Sequence, residues 1–421
     1  MKKMKWLSAM LIAGVFAFTA CSDDEGNGEN FSDLPVEEQK AQMESEGIAM
    51  VQKMDEAKSL QTYDVLDSFF ALMDEANAEP VKALEFSLNE VMSLQQTKSI
   101  VSLKGALVDK MRASDEFYAE TGVYEWDAAV GDWAVVEQSD SEVTYRFPVE
   151  EQTAEISVYG FAVKDATHQD DPEMVIELPL SLNAHVKLGE VVITSFSLTA
   201  EWNDDDTPKN ITEIITLENF SFTSELTNTT SKVGASAAFK YKEEMIYGNG
   251  FTLEGDFSYD EIFNTIPGDE TGMDDALAQE VLEKANVWFQ LGNIKIEGIL
   301  DFKGFMEALA DKVETVNMED EDAFNDMMVE LINEYAILYV RFADSNEIIA
   351  KGEFYLEEVD DLYGGSYVEP AFLMVFGDGS KMTVDQFVEE GFGDLLDEVE
   401  SFINALEEAY GEEEEVVVTP A

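Results

Sequence analysis

Apolar positions along this chain repeat with two different periods, and the change between them divides it. From about residue 37 the spacing is helical. Met43, Gly47, Met50, Met54 and Ala57, then Leu66, Phe69, Phe70 and Met73, recur at three or four residues and fall on one stripe. Pro80 fits the first turn of a further helix with Leu84, Leu88 and Val91 on one face. Residues 95–113 fit either helix or strand. The period then drops to two. Val123–Asp127 and Trp133–Val136 predict a hairpin whose loop is flanked by Trp126 and Trp133. Val143, Tyr145 and Phe147 alternate with Thr144 and Arg146. Leu178, Leu180, Leu182, Ala184, Val186 and Leu188 share one strand face, which leaves Glu177, Ser181, Asn183, His185 and Lys187 for the solvent face. Val192, Phe196, Leu198 and Trp202 continue the pattern, and further strands are predicted near 211–224, 233–243 and 250–259.

Past residue 266 the two periods mix. Asp274 fits the cap of a helix carrying Leu277, Val281, Leu282, Ala285 and Phe289, and Asn293 opens a strand with Ile294, Ile296, Leu300 and Phe302. Helical stripes return at Phe305, Leu309, Val313 and Val316, and at Phe324, Met327, Met328, Leu331 and Tyr335. Two hairpins follow, over 337–356 and 372–384, the second turning at Gly377-Asp378-Gly379-Ser380. A last helix is expected over 384–408. The stretch 251–259 also matches 294–302 in apolar character, with Glu-Gly shared. The fold class this predicts is α+β: a large twisted antiparallel meander with helices packed at its N-terminal and C-terminal ends. The expected divisions are a helical region at 37–113, a β region at 114–265, a mixed region at 266–410 and an acidic tail at 411–421.

Charge narrows the partners. Lys and Arg number 25 against 90 Asp and Glu, a formal net charge of −65. A surface of that sign repels nucleic acid, so that class is set aside. The hydrophobic share, 45%, is far above that of disordered chains and predicts a folded core.

The N-terminus supplies an address. Lys2, Lys3 and Lys5 precede an apolar run from Trp6 to Phe18, too short for a permanent membrane span. Phe18-Thr19-Ala20 then leads into Cys21, the chain's only cysteine, and Ser22-Asp23-Asp24-Glu25 follows it. This arrangement resembles the lipobox of bacterial lipoproteins, with Phe18 where Leu is more usual. The tetrad resembles the export signal of Bacteroidota-type surface lipoproteins. The resemblance covers residues 1–25. It implies a signal peptide over 1–20, an acyl anchor on Cys21, a flexible acidic tether over 21–36, and a position on the outer membrane facing the cell exterior. It implies no activity. Acyl chains stabilise membrane attachment by about 0.8 kcal/mol per buried CH₂, so two or three suffice as an anchor.

Little recognisable catalytic chemistry remains. With Cys21 assigned to the anchor no thiol nucleophile is left. His168 and His185 are the only histidines and stand at no metal-ligand spacing; no H-E-x-x-H, G-x-S-x-G, S-x-x-K or phosphate-binding loop occurs. Carboxylate chemistry survives, because a glycoside hydrolase needs only two Asp/Glu about 5–9 Å apart. Trp126, Trp133, Trp202 and Trp288 are candidates for stacking on sugars, although core or hairpin-bracing roles are commoner for such residues. No cofactor is implied; the one metal to consider is calcium, for which Asp204, Asp205 and Asp206, and the acidic run at 319–322, concentrate oxygen ligands without EF-hand spacing. Three readings follow: a non-enzymatic binding or structural lipoprotein with a glycan or protein partner, a carboxylate-dependent hydrolase of surface glycans, and a carrier holding an apolar ligand.

Overall fold

The computed structural model describes residues 30–84 and 87, 114–168, 171–204, 206–256, 282–313, 315, 316, 321–360, 366–389, 392, 394, 395, 398 and 401. The signal segment, the acidic tetrad, the ambiguous 95–113 stretch and the acidic tail lie outside these residues.

Helix α1 runs Val36–Met54 and passes through a 3-10 turn, Asp55–Ser59, into α2, Gln61–Ala76, as the helical stripes predict. A short α3, Ser114–Ala119, precedes the strands. These are β1 Gly122–Asp127, β2 Asp132–Gln138, β3 Glu142–Val149, β4 Gln152–His168 and β5 Asp171–Leu188. Then come β6 Val191–Trp202, β7 Pro208–Leu217, β8 Phe220–Thr229, β9 Lys232–Tyr241 and β10 Glu244–Gly255. Beyond them lie β11 Leu282–Leu291, β12 Ile294–Asp301, α4 Phe302–Val313 and α5 Glu321–Tyr335. The chain continues with β13 Ala336–Phe342, β14 Ile348–Asp360, β15 Ser366–Phe376, β16 Lys381–Thr383 and α6 Val384–Glu389.

All sixteen strands join one sheet in which spatial order follows chain order, except that β1 lies between β3 and β2. The β1–β3 pair is parallel, so the sheet is mixed and not the purely antiparallel meander expected. The cause is local. Gln138 of β2 and Val143 of β3 both stand level with Gly122 of β1. The link between them therefore crosses two strand spacings, about 9.6 Å, which its few residues can span.

Three further expectations change. The helix expected from Asp274 is a strand over its described part: in β11 the dense aromatic and β-branched run Val287-Trp288-Phe289 alternates across a sheet instead of following a helical stripe. Leu180 is exposed, unlike Leu178, Leu182, Ala184 and Val186. Opposite it the register of β4 against β5 shifts between Ala162, which pairs with Ser181, and Val163, which pairs with Pro179. His185 is largely buried and does not lie open to solvent, with only 16% of its side chain accessible.

The chain divides into two compact units. In the first, which holds Gln61–Phe289 and Glu297–Leu338, one face of β3–β6 packs beneath α2. Val65, Leu66, Phe69 and Met73, one stripe of α2, are buried, as are Val143, Phe147, Ile156, Val158, Phe196 and Leu198 from the strands. Phe69 sits at the centre, its ring 5.4 Å from Tyr145, 5.6 Å from Phe147 and 6.0 Å from Trp133. The start of α2 is fixed by polar bonds: the Thr62 and Thr194 hydroxyls share a 2.6 Å hydrogen bond, and the Glu218 carboxylate accepts the Thr62 N–H at 3.3 Å, an anion at a helix N-terminus.

In the second unit, with 30–60, 290–296 and the described residues from 339 onward, a separate core gathers Met43 of α1, Val340, Phe342, Ile349, Met374, Phe376 and Phe387. Gly47 lets α1 approach closely, since a Cβ there would lie 2.6 Å from Leu395 Cδ2. The Gly377–Ser380 stretch is a tight turn, as read from sequence. Asp378 accepts from both the Ser380 N–H and its hydroxyl, which hold its carboxyl below the ordinary value.

Candidate functional site

The face of β3–β7 turned away from α2 carries the most organised polar surface described. Side chains opposite one another in adjacent strands form rows across a sheet, and one row here runs Thr144, Ser157, His185, Ser195, Thr216. The hydroxyls pair within it: Thr144 with Ser157 at 2.9 Å, Ser195 with Thr216 at 2.6 Å. In the next row Glu155 accepts from Arg146 Nε at 2.9 Å and from Lys187 Nζ at 2.8 Å. His185 Nε2 stands 3.6 Å from the same carboxylate, too far for a hydrogen bond, and Tyr159 meets the imidazole edge-on at 5.5 Å.

These contacts set the protonation states. Burial raises the Glu155 carboxyl, but bonds and charge from Lys187 and Arg146 outweigh it and hold the group at about 2. Burial, then the charge of Lys187, push His185 below the usual histidine value, against the pull of Glu155 and Glu142. A proton donor in glycoside cleavage needs a carboxyl raised above its usual value. Glu155 is the reverse, a fixed anion between two cations. Nor does a serine nucleophile assemble here, since the hydroxyls of Ser157 and Ser195 are both engaged by threonines. The cluster braces three strands and presents a polar surface.

The candidate tryptophans separate. Trp126 and Trp133 face each other across β1 and β2 at 5.3 Å, edge to face, and Trp133 continues into the Phe69 cluster, 5.0 Å from Tyr145. They brace the hairpin and its core. Trp202 donates Nε1–H to the Pro179 carbonyl at 2.7 Å, which ties its ring to β5. Trp288 is different: it lies across Gly248 and Gly250 of β10, which a sequence signal, glycines two residues apart on one strand face, could have disclosed.

The acidic loop after β6 is built by Asn203, whose amide donates to Thr207 Oγ1 at 3.1 Å and whose backbone N–H bonds the Thr207 carbonyl at 2.8 Å. Asp206, at φ +64°, pairs with Lys164 at 2.6 Å; Asp204 is exposed, and Asp205 lies outside the described residues. Within the other acidic run, Glu321 opens α5 and residues 319 and 320 lie outside the description. Among the described residues no group of three or more His, Cys, Asp or Glu is placed to hold a metal ion. His168 ends β4 opposite Asp171 of β5. Cys21 and Ser22 to Glu25 lie outside the described residues. A void of about 10 Å³ lined by Ser87, Ile156, Ala184, His185, Val186, Thr194 and Phe196 has the room of a single water, far below an apolar ligand.

No family model, curated protein or solved structure matches this chain. Its function is therefore argued from its own residues.

Proposed function

We propose that the chain is a lipid-anchored protein of the outer membrane, facing the cell exterior, where it binds a glycan or protein partner without catalysing a reaction. The observation that carries this reading is the placement of the chain's only cysteine at position 21, directly after a basic and apolar leader and directly before Ser22-Asp23-Asp24-Glu25. Acyl chains on Cys21 would supply the membrane attachment; among the described residues no helix is long and apolar enough to cross a membrane. Binding is favoured over glycan hydrolysis by the described carboxyls that are clearly displaced. Glu155, Glu201 and Asp378 all sit below their usual values, which suits anions that hold structure and not a proton donor.

Replacing Cys21 with Ser is expected to abolish acylation and release the protein from outer-membrane fractions. Protease added to intact cells is expected to digest the native protein. Continued membrane partition of Cys21→Ser would overturn the anchor, and survival of the native protein during shaving would overturn the outward orientation.

A further inference from the structure

In the second unit the residues just before α1 are bonded to the sheet. Phe31 forms a parallel bridge with Ile348, the first residue of β14. Two backbone hydrogen bonds close it: the Ser32 N–H donates to the Ile348 carbonyl and the Ile348 N–H donates to the Asn30 carbonyl, both at 2.8 Å. Phe31 also lies against Gly377, directly after β15, where an added Cβ would stand 2.9 Å from the Cβ of Phe31. The glycine is what admits this close approach.

Because the bridge is parallel, it fixes a direction. Ser32 lies along β14 and Asn30 lies back past its start, so the chain before Asn30 leaves the sheet beside the turn that joins β13 to β14. The Gly377–Ser380 turn is at the same end, since Phe376 stands level with Ala350. From Asn30 back to Cys21 is nine residues, which reach about 30 Å when fully extended. From Ile348 forward to Glu357 is also nine residues, about 30 Å along β14 in the opposite direction. A body of net charge −65 is repelled by anionic headgroups and does not lie down on them. The two ends of β14 therefore stand at different distances from the acyl chains.

We infer that the Phe31–Ile348 bridge is a latch that turns the β13–β14 end of this unit toward the lipid surface and the Glu357 end away from it. The inference rests on the Cys21 anchor proposed above and adds what an anchor alone does not dictate, which end of the unit faces the membrane.

The acylated protein, reconstituted on phosphatidylcholine and phosphatidylglycerol vesicles that carry an acceptor dye on a headgroup, supplies the test. With the Cys21 sulfur acylated, a cysteine introduced at exposed Ser345 or exposed Glu357 is the one thiol to label with a donor. Energy transfer from Ser345→Cys is expected to exceed that from Glu357→Cys about threefold or more, given the length of strand between them. Equal transfer, or a larger value from Glu357→Cys, overturns the latch while leaving the anchor intact. Failure of the chain to bind the vesicles removes the anchor, and the orientation with it. Gly377→Ala, whose methyl group collides with Phe31, is expected to speed amide exchange at Ser32 and Ile348 about tenfold and to narrow the difference between the two labels. If circular dichroism shows that Gly377→Ala has lost its fold, Phe31→Ala makes the same comparison. Exchange as slow as in the native chain, or a difference between labels that survives the faster exchange, overturns the role given to Phe31.

Discussion

Strands β3–β6 and strands β9–β11 share a sheet and the same alternation in sequence, yet they bury their side chains differently. In the first group one face is closed: Val143, Phe147, Ile156 and Val158 are at most 1% exposed, while the other face is polar. In β9 neither parity closes along its middle, and Ala235 to Lys240 are all partly exposed. The difference lies in what covers the sheet. The stripe Val65, Leu66, Phe69, Met73 on α2 lies over β3–β6. In β9–β11 strand neighbours do much of this: Phe220 stacks on Phe239 at 5.6 Å with planes 9° apart, Tyr247 meets Phe289 at 5.4 Å, and Trp288 covers two glycines, while Phe302 and Phe305 of α4 pack only against a small core around Ala285 and Leu253. Alternation specifies a strand, whereas a covered face also requires a partner element with a matching stripe.

The largest expected effect tests that contrast directly. Phe69→Ala removes a ring enclosed by Tyr145, Phe147 and Trp133 and should cost about 3–5 kcal/mol. Phe239→Ala removes the same atoms from a partly exposed site and should cost about 1–2 kcal/mol. Denaturant melts of the two variants measure the gap. Equal losses would mean that β9 is covered as completely as β3.

Next in size is the ion cluster on the polar face of β3–β5. Glu155 is ionised in the folded protein down to about 2, below the 4.5 of a free glutamate, so its stabilisation is complete above pH 4.5 and is lost as pH falls toward 2. His185, also held below its usual 6.5, acts in the same direction. The fold favours its neutral form, so stability declines as pH drops below 6.5. Glu155→Gln leaves Arg146 and Lys187 without their carboxylate and should lower the melting temperature at pH 7 while flattening the acid limb below pH 4.5. An acid limb as steep as that of the native chain would remove Glu155 from the explanation.

Much of this architecture is legible in the residues. The stripes of α1 and α2, the Trp126/Trp133 hairpin, α4 and α5, and the two hairpins after residue 336 follow from periodicity alone. What escaped has identifiable causes. β4 is a 17-residue strand, but Gly160 interrupts its alternation. The helical spacing of Leu282, Ala285 and Phe289 is equally consistent with alternate faces of β11, and the strand wins. The Glu155 cluster was hidden because Arg146, Glu155 and Lys187 come from three strands and meet only through register, which no single-strand pattern reports. Trp288 was visible as a tryptophan, but its posture depends on two glycines in another strand.

The smallest effect concerns the charge itself. With a net −65 the folded chain repels itself, and millimolar magnesium should raise the melting temperature by a few degrees through screening and loose association. The gain should be uneven. Local opening takes least free energy where side chains remain half-exposed, so amide exchange in β9–β11 should slow more than in β3–β6, whose opening is limited by the α2 core. Calcium is expected to match magnesium, because Asp206 of the acidic loop is already paired with Lys164. A calcium-specific rise accompanied by slowed exchange at Asn203 to Thr207 would instead give that loop a bound ion. Uniform slowing across both groups of strands would place the repulsion on the whole fold, and the contrast between them would then rest on packing alone.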